Sequence, residues 1–286
     1  MMSDSVETTA EPVSRKASTL RLWNRNFLLL WQGQFVSAIG DVVYEIALGF
    51  WILATTGSTG LMGTLMAAST IPRVVLAPFA GVVVDRTNRK WLLVLMDAVR
   101  GAVVVLVGLA AMTGRAEVWM VFVAGIIIGL CAAFFNPSVS SVIPDIVHRK
   151  RLVKANSFFS MIRAGSGILG NSLGGVLYSI LGAPLMFLVN GISYLFSAGT
   201  EVFISVPLVH KERQPKKFFA DMREGLSFVY QNRGLRFLMM ATAVINFLAS
   251  IALILMIPLF QRTEWLGPAR YGVTMAVFTT AMIAGM

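Results

Sequence analysis

Long apolar runs separated by short polar turns dominate the hydrophobic pattern of this chain. Runs long enough to span a bilayer lie at about 27–54, 61–84, 91–112, 118–142, 157–181, 185–206 and 236–260, and a further run begins near 271. Because a helix rises about 1.5 Å per residue, about 20 apolar residues cross a hydrocarbon core about 30 Å thick. The pattern therefore predicts an all-α polytopic membrane protein with eight spans, the eighth still incomplete at Met286.

The composition supports a membrane protein and excludes several other classes. The chain of 286 residues is 56% hydrophobic and 13% charged, whereas about a quarter of residues are charged in an ordinary globular domain. Its single cysteine, Cys131, and its two histidines, His148 and His210, predict neither a disulfide nor a metal site, and we expect no cofactor. A nucleophile–base cluster and a phosphate-binding Gly-x-x-x-x-Gly-Lys loop are both missing from the sequence, which disfavours an enzyme and an ATP-driven pump.

The basic residues predict the orientation of the chain. The net charge is +10, but the basic residues gather in the loops between apolar runs, which disfavours nucleic acid as a partner. The N-terminal tail and the loops after the second, fourth and sixth spans carry most of them, while the opposite loops carry only Arg115, Arg262 and Arg270. Cytoplasmic loops are enriched in Lys and Arg. We therefore expect a multi-pass plasma membrane protein with a cytoplasmic N-terminus, and the membrane ends at these loops are called inner and outer accordingly.

The chain divides into four predicted regions. Residues 1–26 form a cytoplasmic tail, 27–206 a six-helix transmembrane bundle, 207–235 a cytoplasmic linker, and 236–286 part of a second bundle. The linker contains apolar residues at helical spacing, which is typical of a helix lying on a membrane surface. These residues are Phe218, Phe219, Met222, Leu226, Val229 and Tyr230.

A charged loop between the second and third spans carries the most specific motif. It contains Gly81, Asp85, Arg86, Arg89 and Lys90 in the pattern Gly-x-x-x-Asp-Arg-x-x-Arg-Lys. We expect the glycine to permit close helix packing and the basic groups to bind lipid headgroups. The motif resembles the signature loop of the major facilitator superfamily. The resemblance implies two six-helix bundles, of which this chain contains the first and the start of the second, and it implies that this loop controls conformational change.

Other stretches resemble the bacterial efflux branch of that superfamily, which includes macrolide and enterobactin exporters. They are Ser37–Asp41, Ile71–Arg73, Phe135–Pro137 and Arg223–Phe228. The fifth span also resembles the antiporter signature Gly-x-x-x-Gly-Pro-x-x-Gly-Gly, with small residues that favour close helix packing. The corresponding positions are Ser166, Gly170, Gly174 and Gly175. Asn171 replaces the proline of that signature, and the arginine usual in the fourth span of antiporters is absent.

Two carboxylates in the first span are candidates for proton coupling or for binding a charged substrate. Asp41 and Glu45 are four residues apart and therefore share one face of a helix. Charged residues within a membrane are costly and are usually functional. The alternative is a structural pair near the outer surface. Asn246 in the seventh span is a third candidate for the wall of a central cavity.

Four further charges are predicted to form an inner gate together with Asp85. They are Arg73, Asp97, Arg100 and Arg163. Asp97 and Arg100 are three residues apart, a spacing that allows them to pair on a helix. Glu201, near the end of the sixth span, is expected to reach the membrane interface.

The sequence favours a secondary active exporter of amphiphilic small molecules of the drug, macrolide or siderophore type, driven by proton entry. Two alternatives remain at this point. One is a lysophospholipid flippase of the same superfamily, and the other is a non-transporting fragment, because the expected fold needs twelve helices. The expected partners are a small-molecule substrate, protons and the lipid bilayer.

Overall fold

The computed structural model of the chain describes residues 22–206, 227–263 and 265–284. The helices within these ranges are α1 (Arg25–Thr56), α2 (Thr59–Arg86), α3 (Arg89–Met112), α4 (Val118–Ile146), α5 (Leu152–Val202), α6 (Arg233–Arg262) and α7 (Gly267–Ala284), with a short 3-10 turn at Arg149–Arg151. The predicted tail and most of the predicted linker lie outside the described residues.

Helix α5 contains two of the predicted spans. Gly182 interrupts it with φ 69° and ψ 169°, a backbone conformation that favours glycine. The preceding arm covers 152–181 and the following arm covers 183–202. Pro184 begins the second arm, where its missing N–H leaves no helical hydrogen bond unmade. The predicted turn at 182–184 is therefore a break at a single residue, and the eight predicted spans correspond to the observed helices.

Close contacts at glycines show how the first six spans pack. A Cβ atom at Gly40 would lie 2.5 Å from Asn190 Oδ1, and one at Gly33 would lie 2.6 Å from Thr200 Oγ1, so α1 runs antiparallel to the second arm of α5. The glycines of the first arm contact α1 in the same order along both helices, so the first arm runs parallel to α1. Helix α3 packs on the second arm of α5, and α2 packs on α4. These directions alternate as a chain that crosses a membrane repeatedly requires.

Hydrogen bonds at the inner end join helices that are distant in the sequence. Asn24 caps α1 and its Nδ2 donates to the carbonyl of Ile146, at the end of α4, at 2.7 Å. The amide of Asn26 both donates to and accepts from the backbone of Ser205, at 2.8 Å and 3.1 Å. The inner ends of α1, α4 and α5 are thus fixed to each other.

Helices α6 and α7 contact the first bundle at its outer end. The rings of Phe50 and Tyr271 meet edge to face at 5.6 Å, and Arg262 Nη2 donates to the carbonyl of Gly57 at 2.8 Å. The inner part of α6 differs, because Phe237 and Met240 are exposed. The two groups of helices therefore meet at the outer end and leave the inner part of α6 uncovered by the rest of the described chain.

Six helical segments in the described part of the chain are long and apolar enough to cross a membrane. Their exposed apolar surface is typical of a protein that lies in lipid. Two apolar cores hold the first bundle together, an inner core around Leu30 and Leu93 and an outer core around Val43 and Val104. Charged side chains of α1 and α3 lie between these cores.

Candidate functional site

The interior cluster, defined here as Asp41, Asp97, Arg100 and Tyr194, connects three spans through charged and polar contacts. The hydroxyl of Tyr194, on the second arm of α5, donates a hydrogen bond to Asp41 on α1. Arg100 of α3 forms an ion pair with Asp97 one turn earlier on the same helix. Asp41 is partly buried and the other three side chains are buried. A single polar connection therefore runs from the middle of α1 to the middle of α3.

Aromatic rings hold the guanidinium of Arg100 in place. It lies 4.1 Å from the ring centre of Phe135 on α4 and 4.5 Å from that of Tyr194. Cation–π contacts are strongest when the cation is removed from water. Tyr194 thus contacts both Arg100, through its ring, and Asp41, through its hydroxyl. A change in the charge of Asp41 would therefore alter the electrostatic environment of the aromatic ring that contacts Arg100.

Glu45 lies beside the interior cluster on the exposed face of α1. Its side chain is exposed, whereas Asp41 one turn earlier is partly buried. Glu45 interacts electrostatically with Arg73 of α2 and with Tyr271 of α7. The same arginine interacts with Asp41. The two carboxylates predicted from their spacing therefore share one face, and helices from both bundles border it.

The hairpin cluster, defined here as Asp85, Arg89 and Asp145, lies at the inner end of the bundle. Arg89 is the first residue of α3 and contacts Asp85, in the last turn of α2, at 3.5 Å. It also contacts Asp145, near the end of α4, at 2.7 Å. The side chains of Asp85, Arg89 and Asp145 are 46%, 21% and 14% exposed, so water reaches all three. One guanidinium, at the start of α3, thus connects the ends of α2 and α4.

The rest of the signature loop lies on the surface of the bundle. Helix α2 ends at Arg86 and α3 begins at Arg89, with Asn88 as the N-terminal cap. Arg86 is exposed, and the ammonium of Lys90 lies 5.4 Å from the ring centre of Trp91. The expectation that Gly81 permits close packing is wrong for the described residues, because a Cβ atom there would meet no atom of them within 4 Å.

The other predicted gate and cavity residues lie on exposed faces of their helices. Arg73 is exposed on α2, and Arg163 is exposed and donates to Ser160 Oγ at 3.3 Å. Asn246 is exposed on α6, where its Nδ2 donates to the carbonyl of Thr242 at 2.8 Å. Of the predicted gate residues, Asp97 and Arg100 thus pair inside the bundle, and Asp85 pairs with Arg89 at its inner end.

Small residues of the fifth span lie at close contacts between helices. Added Cβ atoms at Gly170 and Gly174 would collide with Val42 and Ile46 of α1, and one at Gly175 would collide with the backbone of α7. Ser166 is buried and donates to the carbonyl of Arg163 at 3.2 Å. This face of α5 therefore contacts helices of both bundles.

Three functional candidates were not predicted from the sequence. Tyr194 and Asp145 contact charges on helices far away in the sequence, and the pattern of one chain gives no sign of such pairs. Glu201 was expected at the membrane interface, but it is 1% exposed and accepts a hydrogen bond from Gln34 Nε2 at 3.5 Å. The expectation for Glu201 is wrong because α1 packs over the end of the sixth span.

The fold, with its long apolar helices and its two charged clusters, defines an all-α polytopic membrane protein. The family of transmembrane secretion effectors, within the major facilitator superfamily, matches residues 17–286. The chain belongs to this family.

Similar proteins agree with this assignment. Macrolide efflux protein A of Streptococcus pyogenes is 24% identical over 266 residues, which cover 92% of this chain and 65% of that protein. Multidrug resistance protein 2 of Bacillus subtilis is 28% identical over 214 residues, 71% of this chain and 52% of that protein. A crystal structure of a bacterial homologue of the human lysosomal transporter Spinster, inward-facing and unoccupied, matches with a TM-score of 0.71 at 17% identity, over 91% of this chain and 60% of that chain. The chain thus spans less than two thirds of the length of these proteins.

Proposed function

We propose that the protein containing this chain is a secondary active exporter of amphiphilic small molecules in the plasma membrane, driven by proton entry. The observation that carries this proposal is Asp41, a carboxylate in the middle of the first bundle that is bonded to Tyr194 and open on one side to the face bearing Glu45. The similarity to a macrolide efflux protein and a multidrug resistance protein supports export as the direction of transport.

A carboxyl group in this position suits proton coupling. Ionised Asp41 accepts the hydrogen bond from Tyr194 and interacts with Arg100 and Arg73. Protonated Asp41 loses its attraction to both arginines, so its proton changes the balance of charge across α1, α2 and α3. A cationic or polar substrate that approaches Glu45 and Asp41 competes for the same charges. Proton and substrate therefore bind in alternation, as exchange requires.

The apolar faces of the helices suit an amphiphilic substrate. Helix α2 exposes Ile71, Val75 and Phe79, and α6 exposes Met240 and Phe247. Methionine and phenylalanine side chains adapt to ligands of different shape, and apolar pockets with few polar groups are typical of binding sites for small molecules. Asn246 on α6 contributes a polar group from the second bundle to the proposed cavity.

The hairpin cluster is proposed to control the inner gate. Arg89 joins the ends of α2 and α4 through Asp85 and Asp145, and these contacts are exposed enough to break and re-form. Arg86 and Lys90 bind anionic headgroups at the same level. Arg73 and Arg163 contribute to the same gating movement, Asp97 and Arg100 stay paired through it, and the small residues of the fifth span set how closely the helices approach.

Export by the full-length gene product tests this proposal. Bacterial cells that lack their own drug exporters would be loaded with a panel of cationic dyes and macrolides, and separately with a fluorescent lysophospholipid. We expect dye and macrolide efflux that stops when an ionophore collapses the proton gradient. Efflux insensitive to the ionophore would contradict proton coupling, and transfer of the lysophospholipid alone would support the flippase alternative. Glu117→Gln, in an outer loop, is the matched control.

A further inference from the structure

A second buried carboxyl group lies near the interior cluster, toward the inner end of the bundle. Glu201, in the last turn of α5, is 1% exposed. One of its carboxyl oxygens, Oε1, accepts a hydrogen bond from Gln34 of α1 at 3.5 Å, and the other, Oε2, has no partner among the described residues. A polar atom without a partner in a buried site indicates that something else satisfies it.

The charges around Glu201 do not neutralise it. Asp97 and Arg100 of α3 face it and interact with it electrostatically. Arg100 is already paired with Asp97 and held by the rings of Phe135 and Tyr194. No cation in the described part of the chain forms a salt bridge with Glu201. Ionised Glu201 would therefore be a second negative charge beside a pair that is already neutral.

Other groups that face this region are neutral or already bonded. Ser197 lies one turn before Glu201 on the same helix. Its hydroxyl forms no hydrogen bond of good geometry with the described residues, but it lies close enough to interact with both Glu201 and Asp97. Cys131 of α4 faces the Asp97–Arg100 pair. Asp41 of α1 is a further acid that interacts with Arg100, and the Tyr194 hydroxyl occupies one of its oxygens. A buried carboxylate without a counter-ion is strongly disfavoured, and a bound proton removes its charge.

We propose that Glu201 holds a proton in this conformation and that it forms, with Asp97 and Ser197, an inner proton-binding site distinct from Asp41 and Glu45. Asp97 Oδ2 and Ser197 Oγ are also buried without partners in the described residues, so each is free to accept the hydrogen bond that a protonated Glu201 donates. This site deepens the proposed function, because it rests on proton entry and places a second proton acceptor on the inner side of Asp41.

A proton fits this site better than a metal cation. Hard cations need about six oxygen ligands, and the unpartnered oxygens here are one each on Asp97, Ser197 and Glu201. No group of three acidic, histidine or cysteine side chains among the described residues is arranged to hold a metal ion. The contacts from Asp41 through Tyr194 and Arg100 to Asp97 give the two proton sites a direct electrostatic connection.

Infrared spectroscopy of the full chain in lipid bilayers tests the inner proton site without any transport. A protonated carboxyl group gives a carbonyl stretch above the amide I band, and an ionised one does not. We expect this band at neutral pH in the wild-type chain, a weaker band in Glu201→Gln, and an unchanged band in the control Glu117→Gln. An unchanged band in a folded Glu201→Gln chain would overturn the proposal.

Isotope labelling covers the case in which Glu201→Gln does not fold. The Glu45→Gln variant would be produced with glutamate that carries ¹³C at its side-chain carboxyl. The band should then move to lower frequency, because Glu201 is the only glutamate left in the membrane spans that the structure describes. A band that stays in place belongs to an aspartate and overturns the proposal, as does a band that disappears when sodium replaces choline in the buffer. If dye export fails while this band behaves as expected, the proposed function is wrong and the proton site stands.

Discussion

The interior cluster and the hairpin cluster use the same ion-pair chemistry in opposite surroundings. In the interior, the side chains of Arg100 and Asp97 are 6% and 0% exposed. In the hairpin, Asp85 is 46% exposed and Arg89 is 21% exposed. A buried pair is costly to break because each partner is left without water or a counter-ion, whereas an exposed pair opens cheaply. The interior pair thus suits a fixed element of the bundle, and the hairpin pair suits a contact that opens and closes.

Removing Arg100 should give the largest effect in this comparison. Arg100→Leu leaves Asp97 buried without its partner, and such changes cost about 3–5 kcal/mol in folding stability. The measurement is chemical unfolding in detergent, followed by circular dichroism. The double variant Arg100→Leu, Asp97→Leu should recover most of the loss, because neither charge then remains. A single variant as stable as the wild type would show that the pair is not isolated from water.

Tyr194→Phe should have an intermediate effect. The change removes the hydroxyl that bonds to Asp41 and keeps the ring that contacts Arg100. We expect a loss of about 1 kcal/mol in folding stability, the usual net contribution of one hydrogen bond, together with reduced export driven by a pH gradient. Tyr178→Phe is the matched control because its ring stacks on Phe50, away from the charges. Equal loss of coupled export in both variants would argue against a role for the Tyr194 hydroxyl.

Substitutions in the hairpin cluster should have little effect on folding stability but should slow transport. Asp85→Asn and Asp145→Asn each remove one partner of Arg89 in a partly exposed site, so the expected loss of stability is at most about 1 kcal/mol. Both variants should slow transport and leave substrate binding largely intact, because the cluster lies at the membrane edge. Paired binding and flux assays in proteoliposomes measure this. Lost affinity at an unchanged rate per bound substrate would contradict the gating role.

Single cysteine substitutions in exposed loops should leave folding stability unchanged. Labelling them should identify the side of the membrane on which each cluster lies. In a Cys131→Ala background, a cysteine at Lys150 should react only with reagent applied from the cytoplasm, and one at Glu117 only with reagent applied from outside. Both positions lie in exposed loops at opposite ends of the bundle. Reversed labelling would place the hairpin cluster outside and remove its role as an inner gate.

The spans were predictable because each one must be apolar over the thickness of a bilayer, and that requirement is local in the sequence. The break at Gly182 was also predictable, from a glycine two residues before a proline. The pairs Asp41–Glu45 and Asp97–Arg100 were predictable in the same way, since helical spacing alone brings their members together.

The contacts between helices could not be predicted from one sequence. The bonds of Tyr194 to Asp41 and of Arg89 to Asp145 depend on which helices become neighbours, and residue spacing does not contain that information. Glu201 shows the same limit, because α1 covers a position that the sequence alone places at an interface. Gly81 shows the converse, because the motif predicts a close helix contact and none of the described residues lies within 4 Å of a Cβ atom there.

We propose that Asp41 couples proton movement to export, and substrate movement in the Asp41→Asn variant is the test of this coupling. The full-length gene product would be reconstituted in liposomes with and without an imposed pH gradient. We predict that Asp41→Asn abolishes uphill export driven by the gradient while downhill movement of substrate persists, because the variant keeps the proposed cavity and lacks the proton acceptor. Gradient-driven export at the wild-type rate in Asp41→Asn would contradict the claim.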